Sequence, residues 1–212
     1  MTRLVLVAAA VLLLAGCGRA KHAATPTSVS GCTPVKAPSS AARTAARPTA
    51  ELPLSVRYDV TIATNCGAFT IRLEPAESPH AAASFASLVK HGFYDGTVFH
   101  RIVPGMLIQG GDPTGSGTGG PGYTTVDQPP SHAEYTHGVV AMAKTSVEAP
   151  GTAGSQFFVV TSANAGLTSD YAIVGTVIAG LPVVDRIGKL GDAGGQPSQT
   201  VEIEHATLRT LG

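Results

Sequence analysis

The sequence predicts a mainly β fold, a barrel or sandwich of about eight short strands with two short helices. Glycine and proline supply 25 and 15 of the 212 residues, a composition that favours many turns over long helices. Apolar and polar residues also alternate in several short runs, as they do in half-buried strands. Because 43% of the residues are hydrophobic and 13% are charged, the chain can bury one sizeable core.

The first predicted elements are a hairpin and a helix. Residues 58–64 and 68–73 alternate on either side of a turn that contains glycine, which predicts two antiparallel strands. Ser78 then offers a cap residue and Pro79 a first-turn proline. We therefore expect a helix to begin there, with Phe85 on its buried face.

The stretch 99–112 (FHRIVPGMLIQGGD) predicts two strands joined by a Pro-Gly turn. Strand alternation puts Arg101 among apolar neighbours, and an unpaired buried charge is costly, so this arginine needs a partner or a function. The glycine-rich loop at 112–122 follows. It lacks the lysine and the strand-to-helix context of a phosphate-binding loop, so we do not expect it to bind phosphate.

Short apolar runs predict the remaining strands, and a second helix starts at Pro182. These strands are expected at 139–143, 154–160, 172–177 and 201–209.

Residues 1–17 are predicted to be a signal peptide outside the fold. Arg3 precedes an apolar run that is shorter than the roughly 20 residues of a spanning helix. The sequence LAGC at 14–17 resembles the lipobox of bacterial lipoproteins, which implies cleavage before Cys17 and lipidation of that cysteine. The alternative is a plain secretory signal with a chance cysteine. On the first interpretation the protein is extracytoplasmic and lipid-anchored to the bacterial cell membrane.

Residues 18–51 are predicted to be a disordered tether, because they are rich in Ala, Thr, Ser and Pro and lack periodicity. Positions 18–50 carry five basic residues and no acidic one, whereas the domain at 52–212 carries 8 basic and 13 acidic residues, a net charge of −5. The tether could lie along anionic lipid or wall polymer, or serve as a solvated spacer.

The cysteines and histidines do not indicate a metal site, because no cluster has ligand spacing. We also expect no cofactor and no nucleic-acid partner. Outside the cytoplasm Cys32 and Cys66 could pair and staple the tether to the domain, but two free thiols is the favoured interpretation.

Two long motifs, FHRIVPGMLIQGGD at 99–112 and GSQFF at 154–158, resemble those of the cyclophilin family of peptidyl-prolyl cis-trans isomerases. GVVAMA at 138–143 and YAIVG at 171–175 extend the resemblance to roughly residues 54–211. It implies an eight-stranded antiparallel barrel capped by two helices, with the site on its outer face.

The resemblance implies that Arg101 is catalytic, with Gln109 orienting its guanidinium or holding the substrate carbonyl. Three substrate-binding positions depart from the common pattern: methionine for phenylalanine, lysine for asparagine, and tyrosine for histidine. The loop before Gly154 is also three residues longer. The implied substrate-binding residues are Met106, Leu107, Ala143, Lys144, Gln156, Phe158, Leu167 and Tyr171.

The predicted function is isomerisation of X-Pro bonds in exported polypeptides, as a protein-folding catalyst. Proline-containing peptides and unfolded exported proteins would be its partners. The alternative is a Pro-peptide binding module or envelope adhesin on the same scaffold, with little turnover. Gly166 falls where many eukaryotic members have a tryptophan that supports cyclosporin binding, so we expect that drug to bind weakly.

Overall fold

The computed structural model describes residues 31–212. The predicted signal peptide, the lipidated Cys17 and the first part of the tether lie outside the described residues. Within residues 31–212, no helix is long and apolar enough to cross a membrane.

The described part of the chain is mainly β, as predicted, with two helices. The strands are β1 Arg57–Thr64, β2 Gly67–Leu73, β3 Thr97–Val98, β4 Arg101–Val103, β5 Leu107–Gly110, β6 Thr125–Val126, β7 Val139–Met142, β8 Thr152–Ala153, β9 Phe157–Val160, β10 Ile173–Ala179 and β11 Glu202–Leu211. The helices are α1 Pro79–Lys90 and α2 Leu181–Ile187.

Nine strands form one antiparallel sheet in the order β3-β11-β1-β2-β10-β7-β9-β5-β4, and β6 pairs with β8 separately. Eight strands were predicted for the barrel. The extra one arises because the strand that carries Arg101 is interrupted at residues 99–100. Val98 bridges Asp112 in the same register in which Arg101 pairs with Gln109, so β3 and β4 are two parts of one broken strand. Since β3 pairs with β11, this broken strand closes the barrel.

The barrel core contains a cluster of aromatic rings. Phe157 packs edge to face against Phe85 of α1, Phe99 and Tyr94, with ring centroids 5.3–5.9 Å apart. Each fully buried ring of this kind contributes about 1.5–3 kcal/mol relative to an exposed one. This packing holds α1 and the break in the Arg101 strand against the barrel interior.

The start of α1 is capped by a residue that sequence reasoning did not identify. The Ser78 side chain makes no cap hydrogen bond. Instead, the buried carboxylate of Asp127 accepts hydrogen bonds from the backbone N–H groups of His80 and Ala81, at 3.3 and 2.6 Å. A negative charge there also complements the helix dipole.

Residues 31–51, called the arm below, lie along the domain and differ from the predicted disordered tether. They contain no strand or long helix, but Thr33 N–H donates to Asn65 O over 2.7 Å, and Arg43 Nη1 donates to Phe93 O over 2.6 Å. The favoured interpretation of two free thiols is wrong, because Cys32 and Cys66 form a disulfide. Composition alone misses such an arm, since each anchor lies far away in the sequence.

Candidate active site

Three neighbouring strands bring the predicted catalytic residues into one row on the outer face of the barrel. Arg101 on β4 pairs directly with Gln109 on β5, which pairs with Phe158 on β9. Directly paired residues have Cβ atoms about 4.5–5.5 Å apart, so the row is set by strand register alone. The Arg101 side chain is exposed and can reach a ligand on this face.

A chain of side-chain hydrogen bonds, called the hydrogen-bonded row below, joins Arg101, Gln109 and Gln156. Arg101 Nη1 donates to Gln109 Oε1 over 3.2 Å, and Gln109 Nε2 donates to Gln156 Oε1 over 3.1 Å. Gln156 Nε2 then donates to the backbone oxygen of Gly119 over 2.9 Å. Each amide therefore turns its oxygen towards the guanidinium and its nitrogen away. Because a guanidinium can only donate, this polarity is the one that Arg101 requires.

An apolar cluster lies beside the row and is separate from the barrel core. Leu107 and Phe158 are buried in it, while the other predicted apolar positions are half-buried. It thus provides the shallow apolar surface that a proline ring needs. The predicted residues that meet in this cluster are Met106, Leu107, Ala143, Phe158, Leu167 and Tyr171.

Sequence reasoning missed Tyr135, a buried residue at the centre of this cluster. Its hydroxyl donates to Tyr171 O over 2.8 Å and accepts from Tyr171 N–H over 2.9 Å. Its ring packs edge to face on the Tyr171 ring, with centroids 5.8 Å apart. Burial raises the pKa of Tyr135, so it stays a neutral donor. Tyr135 lies in a loop without a strand pattern, so no signal in the sequence indicated that it would be buried beside Tyr171.

Lys144 stabilises the loop that carries it through hydrogen bonds to the main chain, and its ammonium also contacts the edge of the apolar cluster. Its ammonium donates to Thr145 O and Glu148 O over 3.2 and 3.1 Å. It lies 5.5 Å from the centroid of the Tyr171 ring, within the range of a cation–π contact. The neighbouring Ala143 N–H donates to Gln156 O over 2.8 Å, so a substrate can use only the carbonyl of Ala143.

A groove of about 610 Å³ lies between the Lys144 loop and the glycine-rich loop at 112–122. Gln109 and Gln156 form part of its wall, so it opens directly onto the hydrogen-bonded row. Tyr123, Lys144 and Glu148 also line it. A peptide whose proline lies on the apolar cluster can therefore place neighbouring residues in this groove.

The family model described as cyclophilin type peptidyl-prolyl cis-trans isomerase/CLD matches residues 59–208. The chain belongs to the cyclophilin family. Peptidyl-prolyl cis-trans isomerase-like 1 of Neurospora crassa is 38% identical over 155 residues, which cover 71% of this chain and 93% of that protein. Peptidyl-prolyl cis-trans isomerase B of Streptomyces anulatus is 38% identical over 170 residues, covering 71% and 95%.

Solved cyclophilin structures share this fold. The crystal structure of the Cryptosporidium parvum cyclophilin type peptidyl-prolyl cis-trans isomerase superposes with a TM-score of 0.67 at 31% identity. It covers 74% of this chain and 99% of the other. The predicted family is thus confirmed, and so is peptidyl-prolyl isomerase activity, with proline-containing peptides as the substrate class.

Within the cyclophilin pattern, the three predicted departures lie together. Met106 and Tyr171 belong to the same apolar cluster, and the Lys144 ammonium lies over the Tyr171 ring. None of the three belongs to the hydrogen-bonded row of Arg101, Gln109 and Gln156. The departures therefore alter the surface that would contact the peptide and leave the hydrogen-bonded row unchanged.

Proposed function

We propose that this cyclophilin isomerises X-Pro bonds in exported polypeptides, as a folding catalyst, with Arg101 as its catalytic residue. The observation that carries the proposal is the hydrogen-bonded row of Arg101, Gln109 and Gln156 beside an apolar surface. Such a row offers a fixed donor next to a place for a proline ring.

The chemistry requires a directed donor. An X-Pro bond rotates over a barrier of about 18–20 kcal/mol, because the nitrogen lone pair is delocalised into the carbonyl. Rotation uncouples the two groups and leaves the lone pair on the prolyl nitrogen. A hydrogen bond from Arg101 to that nitrogen stabilises the twisted state more than either planar state, and only such differential binding accelerates the step.

The apolar cluster supplies the other half of the site. The proline ring would lie on Phe158, Leu107 and Met106, with Leu167 and Tyr171 at its edge, while Gln109 keeps the guanidinium in place. Rotation that takes tens to hundreds of seconds must reach milliseconds, roughly 10⁴ to 10⁵-fold or about 5–7 kcal/mol. One charge-assisted hydrogen bond together with restricted rotation of the bound peptide can reach that amount.

Extracytoplasmic location is part of the proposal, with Cys17 as the lipidated residue. The Cys32–Cys66 disulfide supports this location, because disulfides persist in oxidising compartments and are rare in the cytosol. Mass spectrometry of the N-terminal peptide would test the anchor: a lipidated Cys17 is expected, and an unprocessed or unmodified N-terminus would contradict it.

The catalytic role of Arg101 can be tested by measuring proline isomerisation in a short peptide. The chain would be compared with its Arg101→Ala variant and with Arg57→Ala, which removes an exposed arginine from β1. We expect Arg101→Ala to lower kcat/KM at least a hundredfold and Arg57→Ala to leave it unchanged. Equal activity of all three proteins would contradict the assignment.

A Pro-peptide binding module or envelope adhesin is the alternative within the same scaffold. The Lys144 loop favours it, since a reshaped substrate surface can retain binding while losing turnover. If the chain and its Arg101→Ala variant bound peptide equally and were equally inactive, the binding module would replace the folding catalyst.

A further inference from the structure

The glycine-rich loop at 112–122, called the Asp112 loop below, is organised around one buried carboxylate. Asp112 is 1% exposed. Its oxygens accept hydrogen bonds from the backbone N–H groups of Thr114, Gly117 and Gly119, at 2.7, 2.6 and 3.0 Å. The Thr114 hydroxyl donates to it as well, over 2.8 Å. The carboxylate therefore sets the path of the loop's backbone.

The same loop ends the hydrogen-bond chain that begins at Arg101. Gly119 donates its N–H to Asp112, and its carbonyl oxygen accepts from Gln156 Nε2. The position of that carbonyl is fixed by the carboxylate, so the orientation of the Gln156 amide is fixed too. Gln156 then orients Gln109.

We propose that Asp112 is a positioning residue for Arg101, acting through Gly119, Gln156 and Gln109. This inference rests on the proposed catalytic role of Arg101 and deepens it. A glutamine amide turned by 180° exchanges its donor and its acceptor. Without a fixed acceptor at Gly119, both amides can reverse, and Gln109 would then present N–H groups to a guanidinium that also only donates.

Two adjacent glycines allow a matched test. A Cβ atom at Gly119 would collide with the Asp112 carboxylate and with the Thr114 side chain, whereas one at Gly120 would meet no atom within 4 Å. Neither glycine has a φ in the left-handed region, so alanine is not strained by backbone conformation at either position. Gly119→Ala should therefore displace the loop from the carboxylate, and Gly120→Ala should not.

The experiment measures peptide isomerisation by the full chain carrying Gly119→Ala, Gly120→Ala or Asp112→Asn. We expect Gly119→Ala and Asp112→Asn to lower kcat about tenfold with a smaller change in KM. Gly120 lines the same groove, so Gly120→Ala adds the same methyl group there without touching the carboxylate, and its loss of kcat should be clearly smaller than that of Gly119→Ala. Asp112→Asn preserves the shape of the side chain, and so serves if Gly119→Ala does not fold.

A second background separates positioning from general damage to the loop. In Gln156→Glu, assayed at mildly alkaline pH so that the carboxylate is ionised, the side chain can only accept from Gln109 Nε2. The direction of the Gln109 amide then no longer depends on Gly119. Gly119→Ala should then cost less than twofold in kcat, against about tenfold in the unaltered chain. A purely structural role predicts the same loss in both backgrounds.

The inference is overturned if Gly119→Ala and Gly120→Ala have the same kcat in an active protein, or if the loss is equal in the Gln156→Glu background. These results differ from failure of the proposed function. In that case Arg101→Ala would already match the unaltered chain, whatever the loop variants do.

Discussion

At the scale of single residues, Tyr135 shows how a side chain that need not touch the substrate shapes the site. Its hydroxyl satisfies both the backbone N–H and the backbone carbonyl of Tyr171, and its ring supports those of Tyr171 and Phe158. An unmade hydrogen bond to a buried group costs about 1–3 kcal/mol. Loss of this hydroxyl would therefore loosen Tyr171, at the edge of the apolar cluster on which the proline ring is proposed to lie.

We expect Tyr135→Phe to raise KM for a proline peptide about three- to tenfold, with little change in kcat, because the hydrogen-bonded row stays intact. Steady-state kinetics of peptide isomerisation would measure this. Tyr58→Phe is the matched control, since it removes the hydroxyl of a buried tyrosine in β1, outside the apolar cluster. A Tyr135→Phe protein with an unchanged KM would contradict the supporting role.

Gly166 carries a second prediction at this scale. It has a φ of +64°, and the space around its Cα is open, since a Cβ atom there would meet nothing within 4 Å. Because glycine has no side chain, nothing at this position can cover a bound drug. We expect inhibition by cyclosporin to be weak, with a micromolar or higher inhibition constant in the isomerase assay. Nanomolar inhibition would refute the prediction.

At the scale of elements, the start of α1 depends on Asp127 rather than on the residue at the cap position. The Asp127 carboxylate accepts from two N–H groups of the first turn and also contacts the His80 ring at 2.7 Å. Loss of such a capping group usually costs about 0.5–2 kcal/mol. Ser78, at the cap position, makes no such bond.

We therefore expect Asp127→Ala to lower the free energy of unfolding by about 1–2 kcal/mol or more, and Ser78→Ala to change it by less than about 0.5 kcal/mol. Urea denaturation of the two variants would measure both values. Equal losses would show that α1 does not depend on the Asp127 cap.

The Asp112 loop predicts a pH dependence of stability. Burial raises the pKa of Asp112, but the hydrogen bonds from Gly119, Thr114 and Gly117 outweigh it and hold the pKa below its ordinary value of 3.8. Since the folded-state pKa is depressed, the ionised carboxylate stabilises the fold above about pH 4. That stability is lost as pH falls through the folded-state pKa.

Denaturation curves between about pH 6 and pH 2 would test this expectation. The unaltered chain should lose stability more steeply below pH 4 than Asp112→Asn, which has no carboxylate to protonate at that position. Burial lowers the pKa of the neighbouring His100, while the charge of Asp112 opposes this shift. Protonation of His100 therefore costs stability on the acidic side in both proteins, and it costs more in Asp112→Asn, so the comparison uses the slopes below about pH 4. Parallel curves for the two proteins would contradict the expectation.

At the scale of the whole molecule, local patterns predicted the longer strands and the pairing of Arg101 with Gln109, but not the two-residue strands β3, β6 and β8 or the long-range attachments. Alternation and motif order were enough for Arg101 and Gln109, because directly paired strands bring them together. Tyr135 and Asp127 escaped prediction, since each acts on an element more than 35 residues away in the chain. The ordered arm was not predicted for the same reason. Its composition does not indicate which residues bind the domain, because their partners are distant in the sequence.

The arm connects the disulfide to the Asp112 loop. Ala41 N–H donates to Pro113 O over 3.2 Å, and Ala45 N–H donates to Pro121 O over 3.0 Å, so the arm contacts both ends of that loop. The disulfide, with both cysteines buried, fixes the start of the arm to the β1–β2 turn. The arm thus has one covalent anchor near its start and several hydrogen-bonded anchors after it, and the covalent one should matter most for stability.

We expect the double variant Cys32→Ser, Cys66→Ser to unfold with a free energy about 2–4 kcal/mol lower, because a bridge across 34 residues restricts the unfolded chain. The released arm should also become open to trypsin after Lys36 and Arg43, neither of which precedes a proline. Urea denaturation and limited proteolysis would measure both effects. Dithiothreitol provides the control, since it should destabilise the unaltered chain and leave the double variant unchanged. Equal protection of the arm in both proteins would mean that its hydrogen bonds alone hold it to the domain.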